Sequence, residues 1–368
     1  MLSALLAAVV SAAPAAPCLA MKPEPCLLAC EKGDDAKCLQ LGVLAEDGHL
    51  PKVHHPRLFA AIDAQCQKFG GQRCFRSGVM RLFGIGTPQD STEAAKLFST
   101  ACEAGHPMAC SNLAVRYYRG DGVKKNETDA RRLALSACES TVEACLNAST
   151  LVAHGVGAPG DPKAALAMLD KACATYGPAC AKLATDLLSD AWTKRDVPRA
   201  EKAVQGGCTR GDGESCALLA KLYLGGVAEL RDDAKALPLL EKACTLGQPE
   251  SCHNLGAVWN SGRGVKENPT KAATFFVRGC DLGELDACNN LGMMQILGRG
   301  TKKDGAGGRA VLDRACEAGS VQSCMTLGFA FAEGKGGGKD KKKAIELMKR
   351  ACGGGLDRAC VAERQLSK

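Results

Sequence analysis

Apolar residues recur along this chain at helical spacing rather than in the alternation of a strand. In Ser91–Cys102, Ala94, Ala95, Phe98 and Cys102 fall on one helical face. Ser91 or Thr92 stands where an N-cap hydroxyl is expected. A second stretch of helical pattern follows Cys110, reading Cys-Ser-Asn-Leu-Ala-Val-Arg-Tyr-Tyr, and it stops at Gly120-Asp121-Gly122. The alternation predicts αα-hairpins made of a helix A, a glycine break and a helix B.

The cysteines set the period. Twenty of the 22 form spaced pairs: Cys30 with Cys38, Cys66 with Cys74, Cys102 with Cys110, Cys138 with Cys145, Cys173 with Cys180, Cys208 with Cys216, Cys244 with Cys252, Cys280 with Cys288, Cys316 with Cys324 and Cys352 with Cys360. First cysteines recur every 36 residues, with 35 at two steps, a period that marks a solenoid. Four residues past each of the first nine second cysteines the side chain is tiny: Gly42, Gly78, Ala114, Ser149, Ala184, Ala220, Gly256, Gly292 and Gly328. A glycine inside a helix costs about 1 kcal/mol against alanine, so this register points to a closely packed neighbour. The preceding position is leucine at Leu41, Leu113, Leu183, Leu219, Leu255, Leu291 and Leu327, and reads as the core knob. The predicted fold is all-α: an α-solenoid of about nine αα-hairpin repeats of 35–36 residues cross-linked by disulfides.

The pattern N-L-G/A-x-x-Y/W-x-x-G-x-G-V followed by K-A-x-x-x-x-x-K-A-C is clearest in 112–123, 254–265 and 290–300. It resembles the Sel1-like repeat, a relative of the tetratricopeptide repeat. The paired cysteines narrow the resemblance to the cysteine-rich, beta-lactamase Hcp-like branch, over about 30–360. Two stretches depart from it: Trp192-Thr193-Lys194-Arg195 replaces a glycine break, and the first unit carries Gly48-His49-Leu50-Pro51.

Structural disulfides explain the cysteines better than metal or redox chemistry. Zinc knuckles use C-x2-C or mixed Cys/His spacing, whereas the pairs here lie seven or eight apart and the six histidines share no register. No C-x-x-C occurs. Ala, Gly or Ser precedes 17 of the 20 paired cysteines, which lets two helix ends approach to disulfide distance. Cys18 and Cys26 lie outside the register and either pair with each other or leave Cys26 odd, depending on where the chain is processed.

Such a framework persists in an oxidising compartment. Residues 1–20, with an apolar run from Leu2 to Ala13 and Ala13-Pro14-Ala15 after it, resemble a signal peptide, although no Lys or Arg precedes the run. The expected organisation is a signal peptide at 1–20, an N-terminal cap at 21–37, the repeat solenoid at 38–360 and a C-terminal tail at 361–368. The expected location is secreted or periplasmic, with no membrane span.

Candidate chemistry is sparse. The Gly-x-Gly breaks follow helices and lack the G-K-[ST] ending of a phosphate loop, so they read as left-handed helix ends. The Hcp-like resemblance implies penicillin binding or weak β-lactam hydrolysis, yet S-x-x-K, S-D-N and K-T-G are all absent. No catalytic residue, cofactor or metal site is expected. The net charge of +7 falls short of the basic stripe of a nucleic-acid binder. Asn112, Asn147, Asn254 and Asn290 recur two residues after the second cysteine. They form a ladder of candidate partner-binding residues, or else satisfy neighbouring backbone. Tyr117, Tyr223 and Trp259 share one register and are expected in the core. Lysines and arginines recur in the A–B loops (Lys52, Lys124, Lys125, Lys194, Arg195, Arg231, Lys266, Lys302, Lys303 and Lys339, with Lys341–Lys343 nearby). They are solvated loop charge, or they steer an anionic envelope component. The function expected is a non-catalytic scaffold for protein or peptide partners. The alternative is a penicillin-binding or weak beta-lactamase-type hydrolase acting on β-lactams or peptidoglycan.

Overall fold

A computed structural model describes residues 24–46, 50, 52–189, 194–227 and 230–367. The signal-peptide stretch 1–20, Cys18, Gly48-His49, Pro51 and Trp192-Thr193 lie outside the described residues. The described chain is all-helical, with twenty α-helices and no strand. It forms two compact units, Met1–Gly206 and Gly207–Lys368.

In the first unit the helices are α1 (Glu24–Glu31), α2 (Asp35–Glu46), α3 (His55–Phe69), α4 (Cys74–Phe83), α5 (Ser91–Glu103), α6 (Pro107–Arg119), α7 (Glu127–Ser140), α8 (Cys145–Ala153), α9 (Pro162–Cys173) and α10 (Gly177–Leu188). α11 (Val197–Thr209) runs across the boundary between the units. The second unit continues with α12 (Gly213–Lys221), α13 (Asp233–Thr245), α14 (Pro249–Ser261), α15 (Pro269–Asp281), α16 (Leu285–Leu297), α17 (Gly305–Glu317), α18 (Val321–Glu333), α19 (Lys341–Gly353) and α20 (Asp357–Ser367). From α2 onward the even-numbered helices are A helices, and the odd-numbered ones from α3 to α19 complete nine hairpins. The fold class is that of an α-solenoid. Residues 361–367 belong to α20, where Glu363 and Arg364 replace the Leu and small residue of inner A helices.

Close approach of A to B governs each hairpin. A β-carbon on Gly256 would stand 2.7 Å from the Phe276 ring, one on Gly78 2.8 Å from Phe98, and one on Gly292 2.7 Å from Leu312. The partner always lies twenty residues on, in the B helix of the same hairpin. Gly42 differs, because its space is filled by Arg76 of the next hairpin, 3.0 Å away. The seven register leucines are all 5% exposed or less, which is worth roughly 2 kcal/mol each in transfer terms.

The A–B break uses its two glycines differently. The first, as at Gly120 (φ 69°), closes helix A in the left-handed region. The second lies flat on the preceding repeat: a β-carbon on Gly122 would sit 2.1 Å from the Ser91 carbonyl oxygen at the start of α5. Gly86, Gly300 and Gly336 meet the starts of α3, α15 and α17 in the same way. At these four positions this contact, rather than helix termination alone, requires the second glycine, whereas a β-carbon on Gly264 would meet nothing within 4 Å.

Helix ends are satisfied within and between repeats. Asp90, not Ser91 or Thr92, caps α5, accepting from the Glu93 N–H at 2.9 Å. Asn126, Asp161, Asp232, Asn268, Asp304 and Asp340 do the same for α7, α9, α13, α15, α17 and α19. The expected hydroxyls are already inside the helix, and the extended residue before them supplies the cap. At the other end, Lys242 donates to the Cys208 carbonyl (2.6 Å), Arg278 to Thr245 (2.8 Å) and Arg350 to Cys316 (3.3 Å). Each cation thus meets the negative end of the preceding B helix.

Ten disulfides join the end of one helix to the start of the next. In the first unit they are Cys30 to Cys38, Cys66 to Cys74, Cys102 to Cys110, Cys138 to Cys145 and Cys173 to Cys180. In the second they are Cys208 to Cys216, Cys244 to Cys252, Cys280 to Cys288, Cys316 to Cys324 and Cys352 to Cys360. These are the pairs that the spacing assigned. Their Cα–Cα distances run from 4.4 Å at Cys138 to 4.7 Å at Cys352, inside the range a disulfide accepts. The sulfurs are sheltered as well: Cys180, Cys216 and Cys252 are fully buried, and Cys288 and Cys324 are nearly so. By loop entropy each bridge contributes roughly 2.5 kcal/mol. Cys26 is buried and also disulfide-bonded. No free cysteine occurs among the described residues. No described helix is long and apolar enough to cross a membrane.

The hairpin contact gives a paired test. Gly256→Ala is expected to destabilise the protein by about 1–3 kcal/mol through overpacking against Phe276, with partial rescue by Phe276→Leu. Gly353→Ala, which meets nothing within 4 Å, is expected to stabilise by up to about 1 kcal/mol. Denaturant midpoints under non-reducing conditions measure both, and equal effects would refute the packing argument.

Candidate functional site

The first unit carries a cleft of about 590 Å³, within the range of ligand sites. It crosses the starts of consecutive A helices: Asp35, Cys38 and Leu39 of α2, Phe75 and Arg76 of α4, and His106, Pro107 and Met108 at α6. Ile62 and Gln65 of α3, Gln72 and Arg73 before α4, and Thr141 and Glu143 before α8 complete the wall. The disulfides pin these helix starts at the corners where B turns into the next A.

The floor is apolar and the wall polar. Phe75 is buried, and the His106 ring stacks on it at 4.3 Å between centroids. Leu39 is 46% exposed. Arg73 pairs with Asp35 at 2.6 Å and lies over the Phe69 ring at 4.2 Å. Arg76 pairs with Glu46, and its buried Nε has no hydrogen-bond partner among the described residues. Gln65 donates to the Cys30 carbonyl at 3.1 Å and so fixes the back of the cleft.

His106 caps α6 through Nδ1, which accepts from the Ala109 N–H at 3.2 Å and leaves the ring proton on Nε2. Burial pushes its pKa below the ordinary histidine value, and the Arg76 charge pushes the same way. The cleft therefore offers neutral and cationic donors (His106 Nε2, Gln72, Arg73, Arg76) beside acceptors (Asp35, Glu143). That set suits hydrogen bonding to an extended backbone.

None of the four candidate asparagines lines this cleft. Asn147 is buried and donates to Ser111 Oγ at 2.8 Å, while Asn290 Nδ2 meets His253 Nε2 at 3.0 Å. Both reach the first residue after the second cysteine in the preceding A helix. For Asn112 and Asn254 the equivalent position of the preceding A helix is apolar, Phe75 and Ala217, and both asparagines are half-buried with no side-chain partner among the described residues. In α4 the same register holds Arg76 and in α10 Lys182, positions that the asparagine pattern does not mark. Lys182 pairs with Asp186 at 2.5 Å, and burial raises the Asp186 pKa.

Tyr223 is buried, whereas Tyr117 and Trp259 are half-buried against the core. Trp259 and Tyr223 are covered by Lys271 (4.2 Å) and Lys235 (5.4 Å). The Ser77 hydroxyl donates to Asp63 and that of Ser149 to the Leu146 carbonyl, and both serines are fully buried. No group of three metal-ligating side chains occurs among the described residues.

The shifted histidine sets a pH test. The unfolded chain binds a proton near pH 6.5, while folded His106 resists it. The stability contribution is therefore complete above about 6.5 and is lost as pH falls towards the folded value. Thermal midpoints are expected to drop over that range, and less steeply in His106→Asn, which keeps a capping acceptor. Identical slopes would remove His106 as the cause.

Sequence and structure comparisons bear on the repeat fold. The Sel1 repeat model matches residues 74–106, 107–141, 142–174, 213–248, 249–284, 285–320 and 321–356. No curated protein sequence matches. A Sel1 repeat protein from Oxalobacter formigenes is 20% identical with a TM-score of 0.59, covering 99% of this chain and 100% of that one. A protective antigen of uropathogenic Escherichia coli displaying an SLR fold is 23% identical with a TM-score of 0.55, covering 94% and 74%. Helicobacter pylori cysteine rich protein B is 28% identical over 34% of this chain and 94% of its own, with a TM-score of 0.28. Sel1 repeats form a generally non-enzymatic scaffold for protein–protein interaction. With seven repeats matched across both units, the chain belongs to the Sel1 repeat family.

Proposed function

We propose that this protein is a scaffold of the cell envelope or extracellular space whose first unit binds extended peptides or protein loops in the cleft across α2, α4 and α6. The observation that carries this reading is the cleft itself, an apolar floor of Leu39, Phe75 and Met108 flanked by both donors and acceptors. Such a lining holds side chains below and backbone above, and it needs no cofactor. Preformed walls lower the entropy cost of binding, and the disulfides keep them preformed. The location rests on ten disulfides, which reducing compartments do not sustain.

Peptides selected by display on the oxidised full-length chain test the cleft. Leu39→Glu with Met108→Glu is expected to weaken selected peptides at least about tenfold, with the thermal midpoint unchanged. Undiminished binding would place recognition elsewhere, and turnover of nitrocefin would favour the hydrolase. For the location, intact mass under non-reducing conditions of protein from its native compartment is expected to show no free thiol among the twenty paired cysteines. Ten or more free thiols would overturn it.

A further inference from the structure

We propose that the A–B loop edge of the second unit docks an extended anionic polysaccharide through Lys266, Lys302, Lys303, Lys339, Lys341 and Lys342. All six are exposed, and none has an ion-pair partner among the described residues. They lie on three consecutive loops, 262–268, 298–304 and 334–340, and at the start of α19.

These loops form one continuous edge. A β-carbon on Gly300 would stand 2.2 Å from the Pro269 carbonyl oxygen, directly after the first loop, and one on Gly336 2.6 Å from that of Gly305, directly after the second. Arg299 ties the second loop to the first through the Asn260 carbonyl (3.1 Å) and Glu267 (2.9 Å). Arg309 holds the third through the carbonyls of Lys335 (2.8 Å) and Gly338 (3.0 Å). The lysines therefore recur at the spacing of packed hairpins, about 8–10 Å between neighbouring helices.

The acidic residues along the edge are already engaged. Glu267 is taken by Arg299, and Asp304 and Asp340 cap α17 and α19, accepting from the Gly307 and Lys343 N–H groups. Their charge lies against positive helix ends, so the lysines set the outward potential.

The chemistry around the lysines favours a hydrated polymer. Nucleic-acid single strands stack on bare aromatic rings, but Trp259 is covered by Lys271 and Phe331 by Arg309 and Lys343. A protein partner needs an apolar centre; here Leu297 is a lone exposed apolar side chain beside the loops. Lysines act as hydrated point charges rather than bidentate forks, which suits acidic groups spaced along a polysaccharide. One chain spanning three loops gains by multivalency. This edge shares no residue with the cleft, so each stands on its own measurement.

Calorimetry with heparin, a linear sulfated polysaccharide, tests the proposal on the oxidised full-length chain. Binding at low salt is expected, with log affinity falling linearly against log salt, and a heparin disaccharide at least about tenfold weaker than the polymer. The combined variant Lys302→Ala, Lys303→Ala, Lys339→Ala, Lys341→Ala is expected to lose about tenfold or more with a shallower salt slope. Lys124→Ala with Lys125→Ala, in the first unit, is expected to change neither. The proposal is overturned by absent binding at low salt, by undiminished affinity in the four-lysine variant, or by tighter binding at matched charge to poly(dT) or phosphatidylglycerol vesicles.

Discussion

Two helices of one hairpin approach so closely that no side chain larger than a hydroxymethyl fits between them, and the rest of the fold follows from that distance. At Gly78, Gly256 and Gly292 the B-helix ring or leucine occupies the space a β-carbon would need. Glycine weakens a helix on its own, so the register persists only because packing returns more than propensity removes. The same economy of space recurs at the second glycine of several breaks, as at Gly86, Gly122, Gly300 and Gly336, where backbone lies on backbone of the preceding repeat. Hairpins built this way are thin and can stack.

Stacking leaves helix ends at regular intervals, and the chain satisfies them by repetition. Aspartate or asparagine caps the start of most B helices, while lysine or arginine two residues before a cysteine reaches the end of the previous B helix. The disulfide completes the corner from B to the next A. Since each repeat touches mainly its neighbours, stability accumulates along the array instead of in one central core. Rigid corners then hold the A-helix starts still, and the cleft of the first unit is built from those starts.

Charge and shape are divided between different places. The cleft mixes donors and acceptors, with its arginines paired to Asp35 and Glu46, so little unbalanced charge faces it. The loop edge of the second unit carries six exposed lysines with no ion-pair partner among the described residues.

The sequence by itself determined the hairpins, their period and the cysteine spacing, because each is written in residues close together along the chain. Leucine and the small residue after it announced the buried face for the same local reason. The caps were nearly legible, off by one residue at Ser91, since a cap depends on where the backbone becomes extended. Only the tertiary structure decided what the ladder positions do. Asn147 and Asn290 are spoken for by Ser111 and His253, some 36 residues away, and Arg76 takes an asparagine's place in the cleft. Those roles depend on which side chain the neighbouring helix offers, and that is settled by packing between repeats rather than by spacing within one.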